Sequence, residues 1–217
     1  MNTRLWGILI ILLVALGGMS WHLSRQQTTP ETKELKAPSE QDMKRMTESP
    51  KPIKLKNATK EPGRVVVLNT TRGRIEFVLY EKDCPKTTAR IAELVQGGFY
   101  DGVTFPRVEG WVIQTYQAKR DVPPMGLELT QGLTHTKGTV GMARPADPNA
   151  NTSVFYITME SAPHLDSGYT NFGRVIRGMD VAAKIKLNDQ ILTATIRPPS
   201  ETDKLALQKL LEADAQH

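Results

Sequence analysis

The chain contains few of the side chains that build metal centres or disulfide frameworks. Among its 217 residues there is one cysteine, Cys84, which excludes an internal disulfide and a zinc cluster built from cysteines. The four histidines, at positions 22, 135, 164 and 217, show no metal-ligand spacing. We therefore expect no metal ion. The unpaired thiol does not decide the redox compartment.

The excess of one charge sign over the other is small as well. The chain has 28 Lys and Arg against 23 Asp and Glu, a net charge of +5, and its basic residues are scattered rather than gathered in one block. Proteins that bind nucleic acid usually carry a basic patch or stripe, so we do not expect such a partner. The length suits one globular domain with appendages.

A long hydrophobic run occurs at the amino terminus. Residues 5–23 include no Lys, Arg, Asp or Glu and have a tryptophan near each end. About 20 apolar residues cross a bilayer core as a helix, and tryptophan favours the interfaces. A signal peptide cleaved near Ala15-Leu16-Gly17 is the alternative, and a buried globular helix is a third. We favour an uncleaved anchor over residues 1–23, because the apolar run continues past that point.

The orientation of this anchor rests on two opposing arguments. Three basic residues follow the span, at positions 25, 33 and 36, and only Arg4 precedes it, which by itself would leave the carboxyl side in the cytoplasm. A span that begins so near the start resembles an export signal, however, and long domains translocate largely regardless of charge. We therefore place the globular domain outside the cytoplasm, on the periplasmic or cell-surface side.

Residues 24–62 are polar and are interrupted by five prolines. They contain almost no aromatic or branched apolar side chains, so they cannot bury enough surface to offset the entropy lost on ordering. We predict a flexible linker. A basic segment that lies along the membrane surface is the alternative.

The folded domain is predicted over residues 63–198. Two strand-like runs, RVVVLNT and GRIEFVLY, flank a turn at residues 71–73 and indicate a hairpin. Apolar positions then recur at helical spacing up to residue 99. Asp83 is a candidate cap for this helix, Pro85 suits its first turn, and Gly97-Gly98 ends it.

Further short strands follow, separated by turn-rich joints. They are VTFPRV, WVIQTY, GTVGMAR, SVFYITM, NFGRVI and ILTATI. With the first hairpin they make eight strands, enough to close a barrel, and MDVAAKI indicates a second short helix. The predicted fold is mainly β: a closed eight-stranded antiparallel β-barrel with two covering helices, attached to an N-terminal transmembrane helix.

A helical extension is predicted over residues 199–217. Ser200 and Asp203 form a capping-box-like start, and Leu207, Leu210 and Leu211 make a narrow apolar stripe. We expect the helix to pack back on the domain. A docking helix for a partner is the alternative.

Four strings, taken in order, resemble the cyclophilin family of peptidyl-prolyl cis/trans isomerases over residues 65–196. They are CPKTTARIAELVQGGFYDGVTFPRV, the stretch from Arg107 to Gln114, KGTVGMARPADPNANTSVFYIT and HLDSGYTNFGRVIRGMDVAAKI. The resemblance implies a cyclophilin-like barrel that binds proline-containing segments of other proteins and rotates X-Pro peptide bonds. It implies no cofactor and no covalent intermediate, and we expect a monomer.

The resemblance also implies a role for each matching residue. Arg107 matches the catalytic arginine, and Gln114 matches the amide that orients both substrate and arginine. The other substrate-binding positions are Phe105, Trp111, Val112, Ala143, Arg144, Val154, Tyr156, His164, Leu165 and Tyr169. Taken without the family, Phe105, Val112 and Tyr156 are equally well explained as core residues.

Three departures from the family pattern bear on activity. The string FPRVEGWVIQTY is one residue shorter than in the family, so Arg107 and Gln114 can share a face only if the deletion falls in the turn at Glu109-Gly110. Pro106 replaces a common histidine and is tolerable only outside the hydrogen-bonded ladder. Val154 replaces a glutamine, at a cost of about 0.5–1.5 kcal/mol for a lost hydrogen bond.

Two functions are consistent with these residues. The first is a membrane-anchored isomerase that assists the folding of exported proteins. The second is a catalytically weakened cyclophilin-fold module that binds proline-containing peptides or acts as a scaffold or chaperone.

Overall fold

The computed structural model describes residues 55–116 and 121–216, and these form a mainly β domain, as predicted. The strands are β1 (Val65–Thr70), β2 (Gly73–Leu79), β3 (Arg107–Glu109), β4 (Val112–Gln114), β5 (Thr139–Met142), β6 (Phe155–Thr158), β7 (Asn171–Arg177) and β8 (Ile191–Arg197). The helices are α1 (Pro85–Gln96), α2 (Met179–Ala182) and α3 (Glu201–Asp214), with a 3-10 turn at Pro163–Leu165.

All eight strands belong to one antiparallel sheet with the order β3-β4-β6-β5-β7-β2-β1-β8. The predicted closed barrel is wrong for the part of the chain that the structure describes, because β3 and β8 are the two edges of this sheet. The segments beside them share a single bridge, Thr104 to Gln190. Pro106 follows that bridge and has no N–H to donate, so the ladder cannot continue from the bridge into β3.

The main hydrophobic core is built mainly on β1, β2, β5, β6 and β7 and on the inner face of α1. Phe77 lies at its centre, with its ring 6.0 Å from that of Phe155 and 6.4 Å from that of Phe172. The helical spacing identified in the sequence is confirmed, since Thr88, Ile91, Ala92 and Val95 are all buried. The packed sheet supports the short strands β3 and β4, since β4 pairs with β6.

The start of α1 differs from the prediction. Asp83 does not cap this helix, because its carboxylate accepts hydrogen bonds from the backbone N–H groups of Thr59 and Lys60. The first turn is capped instead by Glu128, whose carboxylate accepts from the N–H groups of Lys86 at 3.2 Å and Thr87 at 2.9 Å. A carboxylate at this position also suits the positive end of the helix dipole.

Helix α3 packs back on the domain, as predicted. Ser200 and Asp203 form the expected capping box, and Leu207 is buried in the main core. The side chain of Asp203 is fully buried and accepts hydrogen bonds from Arg177 and Arg197. These contacts fix the helix against β7 and β8.

The residues before β1 that the structure describes are joined to the domain. The N–H of Ala58 donates to the carbonyl of Gln131 at 2.8 Å, and the N–H of Gln131 donates to the carbonyl of Lys56 at 2.9 Å. Hydrogen-bonded structure therefore begins before residue 63. The predicted membrane span at residues 5–23 lies outside the described residues, and none of the described helices is long and apolar enough to cross a bilayer.

Candidate active site

The two strands β3 and β4 form a hairpin that places Arg107 opposite Gln114. Glu109 pairs with Val112, so Gly110 and Trp111 are the two turn residues. The missing residue therefore falls in the turn, as required for the two polar side chains to converge. Nη1 of Arg107 donates to Oε1 of Gln114 across 3.3 Å. Pro106 precedes the strand, where its missing N–H interrupts no pairing within the hairpin.

A cleft of about 810 Å³ opens beside this hairpin. Its walls contain eleven of the twelve residues predicted for the site, namely Arg107, Trp111, Val112, Gln114, Ala143, Arg144, Val154, Tyr156, His164, Leu165 and Tyr169. Phe105 is the exception, because its side chain is fully buried in the main core. Phe105 is not part of β3, because Pro106 lies between them and the N–H of Phe105 donates to the carbonyl of Asp189. Its side chain therefore need not share a face with that of Arg107.

The floor of the cleft is apolar. Val112, Tyr156 and Leu165 form a second buried cluster with Ala162, apart from the main core. Trp111 and Tyr169 pack against this cluster from the side. The ring of Tyr156 meets that of Tyr169 edge to face at 6.3 Å. An apolar slot with rigid aromatic walls suits a small hydrophobic ring.

Tyr156 is held from behind by two polar side chains. Its hydroxyl lies 2.8 Å from Nε2 of His135, and Nδ1 of His135 lies 2.7 Å from a carboxylate oxygen of Asp166. Burial lowers the pKa of His135, since the charged imidazolium would lose its water, and burial raises the pKa of Tyr156. The neutral imidazole therefore donates to Asp166 and accepts from Tyr156.

The backbone of β5 leaves room for the Tyr156 hydroxyl. A Cβ on Gly141 would lie 2.3 Å from that hydroxyl oxygen, far inside contact distance. Gly141 is directly opposite Tyr156 in the β5–β6 register. The glycine and the tyrosine are thus matched in size.

The guanidinium of Arg144 donates its hydrogen bonds to backbone carbonyls around the cleft. Nε and Nη2 donate to the carbonyl of Gly168 at 2.9 and 2.7 Å, and Nη1 donates to the carbonyls of Pro145 and Ala146. Its central carbon lies 4.7 Å from the centre of the Tyr169 ring. Arg144 therefore fixes two loops and one aromatic wall.

Arg107 is bound by a carboxylate as well as by Gln114. Oε1 of Glu109 accepts from Nε at 2.6 Å, and Oε2 accepts from Nη2 at 3.3 Å. The guanidinium lowers the pKa of Glu109 below its usual value, because it stabilises the charged carboxylate. Arg107 therefore lines the cleft while it is paired with the carboxylate of Glu109.

His164 and Val154 line the cleft, whereas Thr115 and Tyr116 lie outside its lining. His164 is exposed and contacts the ring of Trp111 edge to face at 5.8 Å. Val154 is half-buried and faces the cleft, and its carbonyl accepts from the N–H of Ala143 at 2.9 Å. Thr115 is buried and bonds the carbonyl of Phe155, whereas Tyr116 is largely exposed.

Several site residues were not identified from the sequence. Pro145, Ala150 and Thr152 complete the cleft wall. They belong to the loop PADPNANT, and the sequence indicates only that this loop connects two strands of the site. The sequence pattern indicates Glu109 only as a turn residue, although its spacing of two from Arg107 places both on one face of a strand. The contact of His135 with Tyr156 had no sequence signal.

Within residues 55–116 and 121–216, no group of three His, Cys, Asp or Glu side chains could hold a metal ion. The polar groups of the cleft are donors and acceptors of hydrogen bonds. The fold and the cleft together define a class: a β-sheet domain that sets a guanidinium beside an apolar slot large enough for part of a peptide.

Comparison with known proteins identifies the family. The model of the family "Cyclophilin type peptidyl-prolyl cis-trans isomerase/CLD" matches residues 65–206. Peptidyl-prolyl cis-trans isomerase A of Dickeya dadantii is 34% identical over 145 residues, which are 61% of this chain and 75% of that protein. A peptidyl-prolyl cis-trans isomerase of Acinetobacter baylyi is 35% identical over 133 residues, 56% of this chain and 71% of that protein.

Solved structures show the same fold. A cyclophilin type peptidyl-prolyl cis-trans isomerase of Cryptosporidium parvum superposes with a TM-score of 0.58 at 24% identity, over 64% of this chain and 99% of that one. The chain therefore belongs to the cyclophilin-type peptidyl-prolyl cis-trans isomerase family.

Proposed function

We propose that the chain catalyses cis/trans isomerisation of X-Pro bonds in protein substrates and that Arg107 is its catalytic residue. The observation that carries this proposal is the position of the guanidinium, which lines the same cleft as the apolar slot formed by Val112, Tyr156 and Leu165. The family relationship supports the same reaction.

The chemistry of the bond explains why these groups suffice. Rotation about a peptide C–N bond faces a barrier of about 18–20 kcal/mol, because resonance gives that bond double-bond character. The two isomers of an X-Pro bond lie close in energy, yet they exchange in tens of seconds or more. When the bond is twisted, resonance is lost and the prolyl nitrogen regains a lone pair that accepts a hydrogen bond.

A donor aimed at that nitrogen lowers the barrier. Such a donor binds the twisted form more strongly than either planar form, which is the condition for catalysis. Arg107 meets the need better than a lysine would, because its charge is permanent and its donors have fixed directions. The apolar slot holds the proline ring, so the rotating bond lies within reach of the guanidinium.

The remaining cleft residues have supporting roles in this proposal. Gln114 orients Arg107 and binds a peptide carbonyl or N–H. The backbone at Ala143 and Arg144 lies alongside the extended peptide, and Trp111, His164 and Tyr169 form the rim. The Cryptosporidium parvum protein was also crystallised in the presence of the dipeptide Ala-Pro, a ligand of the size that this slot suits.

We further propose that the domain is tethered to a membrane by residues 5–23, on the extracytoplasmic side, where it assists exported proteins. The support is the uncharged apolar run with a tryptophan near each end. Fusion of alkaline phosphatase to the carboxyl terminus tests the orientation, because that enzyme needs an oxidising compartment to form its disulfides. Phosphatase activity in intact cells is expected, and its absence together with an intact fusion would contradict the orientation.

One experiment decides the catalytic role. The full-length chain is expected to accelerate isomerisation of a proline tetrapeptide, and Arg107→Ala is expected to abolish most of that rate. Arg64→Ala is the matched control, since Arg64 is similarly exposed and pairs with Glu81 at 2.6 Å outside the cleft. Full activity after Arg107→Ala would refute the assignment.

The second candidate, a peptide-binding module with decayed catalysis, is favoured by the apolar side chain of Val154 and by the ion pair on Arg107. Peptide binding by the wild-type chain with an isomerisation rate equal to background would establish it. Turnover by the wild-type chain would exclude it.

A further inference from the structure

Glu109 makes three polar contacts within the site. Its carboxylate accepts from Nε of Arg107 at 2.6 Å and from Nη2 at 3.3 Å. The oxygen that faces Nη2 also accepts from the indole N–H of Trp111 at 2.9 Å. One carboxylate therefore holds both the arginine and an aromatic wall of the cleft. No feature of the family pattern assigned it a role.

The contacts leave a defined part of the guanidinium free for a peptide. An arginine has five N–H donors in a rigid plane. Glu109 takes the N–H of Nε and one of Nη2, and Gln114 takes one of Nη1. Two donors remain among the described contacts, one on Nη1 and one on Nη2. A bidentate pair fixes the plane as well as the position, so the directions of these two donors are set before a peptide arrives.

The same carboxylate fixes Trp111 relative to Arg107. The central carbon of the guanidinium lies 5.3 Å from the centre of the Trp111 ring, within the range of a cation–π contact. Trp111 in turn meets His164 at the rim. An indole that turned about its side-chain bonds would lose the hydrogen bond to Glu109, so the wall and the donor are held in one arrangement.

The arrangement follows from the local sequence. Residues two apart in a strand share a face, so Glu109 lies beside Arg107 on β3. The two-residue turn then brings Trp111 back over the same carboxylate. Both side chains of the ion pair are about half exposed. An exposed pair adds little to stability, so the fold gives no reason for placing a carboxylate here.

We infer that Glu109 is a positioning residue of the isomerase site, which directs two N–H groups of Arg107 toward the prolyl bond and fixes the Trp111 wall. The inference rests on the proposed function. Glu109 touches no substrate in this scheme and acts only through the arginine and the indole.

The test compares Glu109→Gln and Glu109→Ala with the wild-type full-length chain in a protease-free exchange assay on a proline tetrapeptide, followed by NMR. Glu109→Gln keeps the shape and one acceptor, and we expect kcat/KM to fall about threefold; Glu109→Ala removes all three contacts, and we expect a fall of about tenfold. Glu93→Gln on α1 is the control, because Glu93 is an exposed carboxylate away from the cleft.

Two further readouts separate positioning from a structural effect. The activity of the wild-type chain is expected to fall in acid as Glu109 is protonated, below the usual range of a glutamate, whereas Glu109→Gln is expected to lack that step. The indole N–H resonance of Trp111, identified by its loss in Trp111→Phe, is expected to shift across the same acid range in the wild type and to stay constant in Glu109→Gln.

The outcomes are distinct. An unchanged kcat/KM in both Glu109 variants would overturn the inference while leaving the function of Arg107 intact. A raised kcat/KM would also overturn it, since Glu109 would then compete with the peptide for the guanidinium. An inactive wild-type chain would overturn the proposed function, and the indole titration would still show whether Glu109 holds Trp111.

Discussion

Arg107 and Gln114 lie directly opposite each other on β3 and β4, with Nη1 of the arginine 3.3 Å from Oε1 of the glutamine. The contact depends on the length of the turn between them. Side chains in a strand alternate between faces, so one more residue within either strand would send one partner to the other side of the sheet. The short turn keeps both in the cleft.

Loss of the Gln114 acceptor is expected to weaken catalysis without abolishing it. Gln114→Leu keeps the approximate size but removes a hydrogen bond worth about 0.5–1.5 kcal/mol, which corresponds to a fall of about two- to thirteenfold in kcat/KM. The rate on a proline tetrapeptide measures the effect. Gln96→Leu, an exposed glutamine at the end of α1, is the control. An unchanged rate for Gln114→Leu would show that Arg107 needs no orientation by this amide.

The register of this hairpin was predictable because it depends only on counting residues. Alternation, together with the need for Arg107 and Gln114 to converge, left the turn as the one place for the missing residue. The same local reasoning gave α1 and its buried face. It also gave the capping box of α3, since Ser200 and Asp203 are three residues apart.

Features that depend on distant parts of the chain were not predictable in this way. Asp83 has the right position for a cap, but Thr59 and Lys60 use its carboxylate, and Glu128 caps the helix from 42 residues away. Phe105 is two residues from Arg107 in sequence, but β3 begins only after Pro106, and Phe105 is buried in the main core. A count of eight strands also does not show whether the two edge strands pair with each other. In the structure β3 and β8 do not pair, and only the segments beside them share a bridge.

Gly141→Ala is expected to destabilise the domain and impair the cleft. The new methyl group would lie 2.3 Å from the hydroxyl oxygen of Tyr156 and 2.4 Å from its ring, so the tyrosine or the strand must move. Overpacking of this kind costs about 1–3 kcal/mol. Displacement of the ring would also narrow the apolar slot. Both kcat/KM and the free energy of unfolding should therefore fall.

Gly110→Ala provides the control for that substitution. A Cβ on Gly110 meets nothing within 4 Å, so urea unfolding of this variant should match the wild type within about 0.5 kcal/mol. Equal stability of Gly141→Ala and Gly110→Ala would mean that β5 and Tyr156 adjust at no cost. The proposed match in size between Gly141 and Tyr156 would then be wrong.

His135 is expected to make the domain less stable in mild acid. Its pKa is lowered in the folded state by burial, so between the folded value and the unfolded value of about 6.5 the unfolded chain binds more protons. The stability from this group is therefore present above about pH 6.5 and is lost as the pH falls toward the folded pKa. Urea unfolding at a series of pH values between 5 and 8 measures the loss.

The imidazole itself can be titrated to assign the effect. NMR of the wild type should give His135 a pKa below 6.5, with its resonance identified by comparison with His135→Gln. Urea unfolding of His135→Gln should lack the pH dependence that this imidazole gives the wild type. A pKa of 6.5 or above for His135 would contradict the role of burial.

The carboxylate of Asp203 is expected to anchor α3. It is fully buried and bonds Arg177, Arg197 and the N–H of Ser200, and the two guanidinium groups lower its pKa strongly. Asp203→Asn keeps an acceptor for the cap but removes the charge between two arginines. We expect a loss of about 2 kcal/mol, below the cost for a wholly buried pair, because both arginines are partly exposed and can turn toward water.

The stability that Asp203 contributes is expected to depend on pH, because the pKa of this carboxyl group is lowered in the folded state. Stability from Asp203 is present above its unfolded pKa of about 3.9 and is lost as the pH falls below that value, so the difference between the wild type and Asp203→Asn should shrink in acid. Glu201→Gln is the matched control, since Glu201 is an exposed carboxylate on the same helix that pairs with Lys204. Should both variants unfold at the same urea concentration at pH 7, the buried charge would not be what holds the helix. The apolar contact of Leu207 and the ion pair of Asp214 with Arg174 would then hold it.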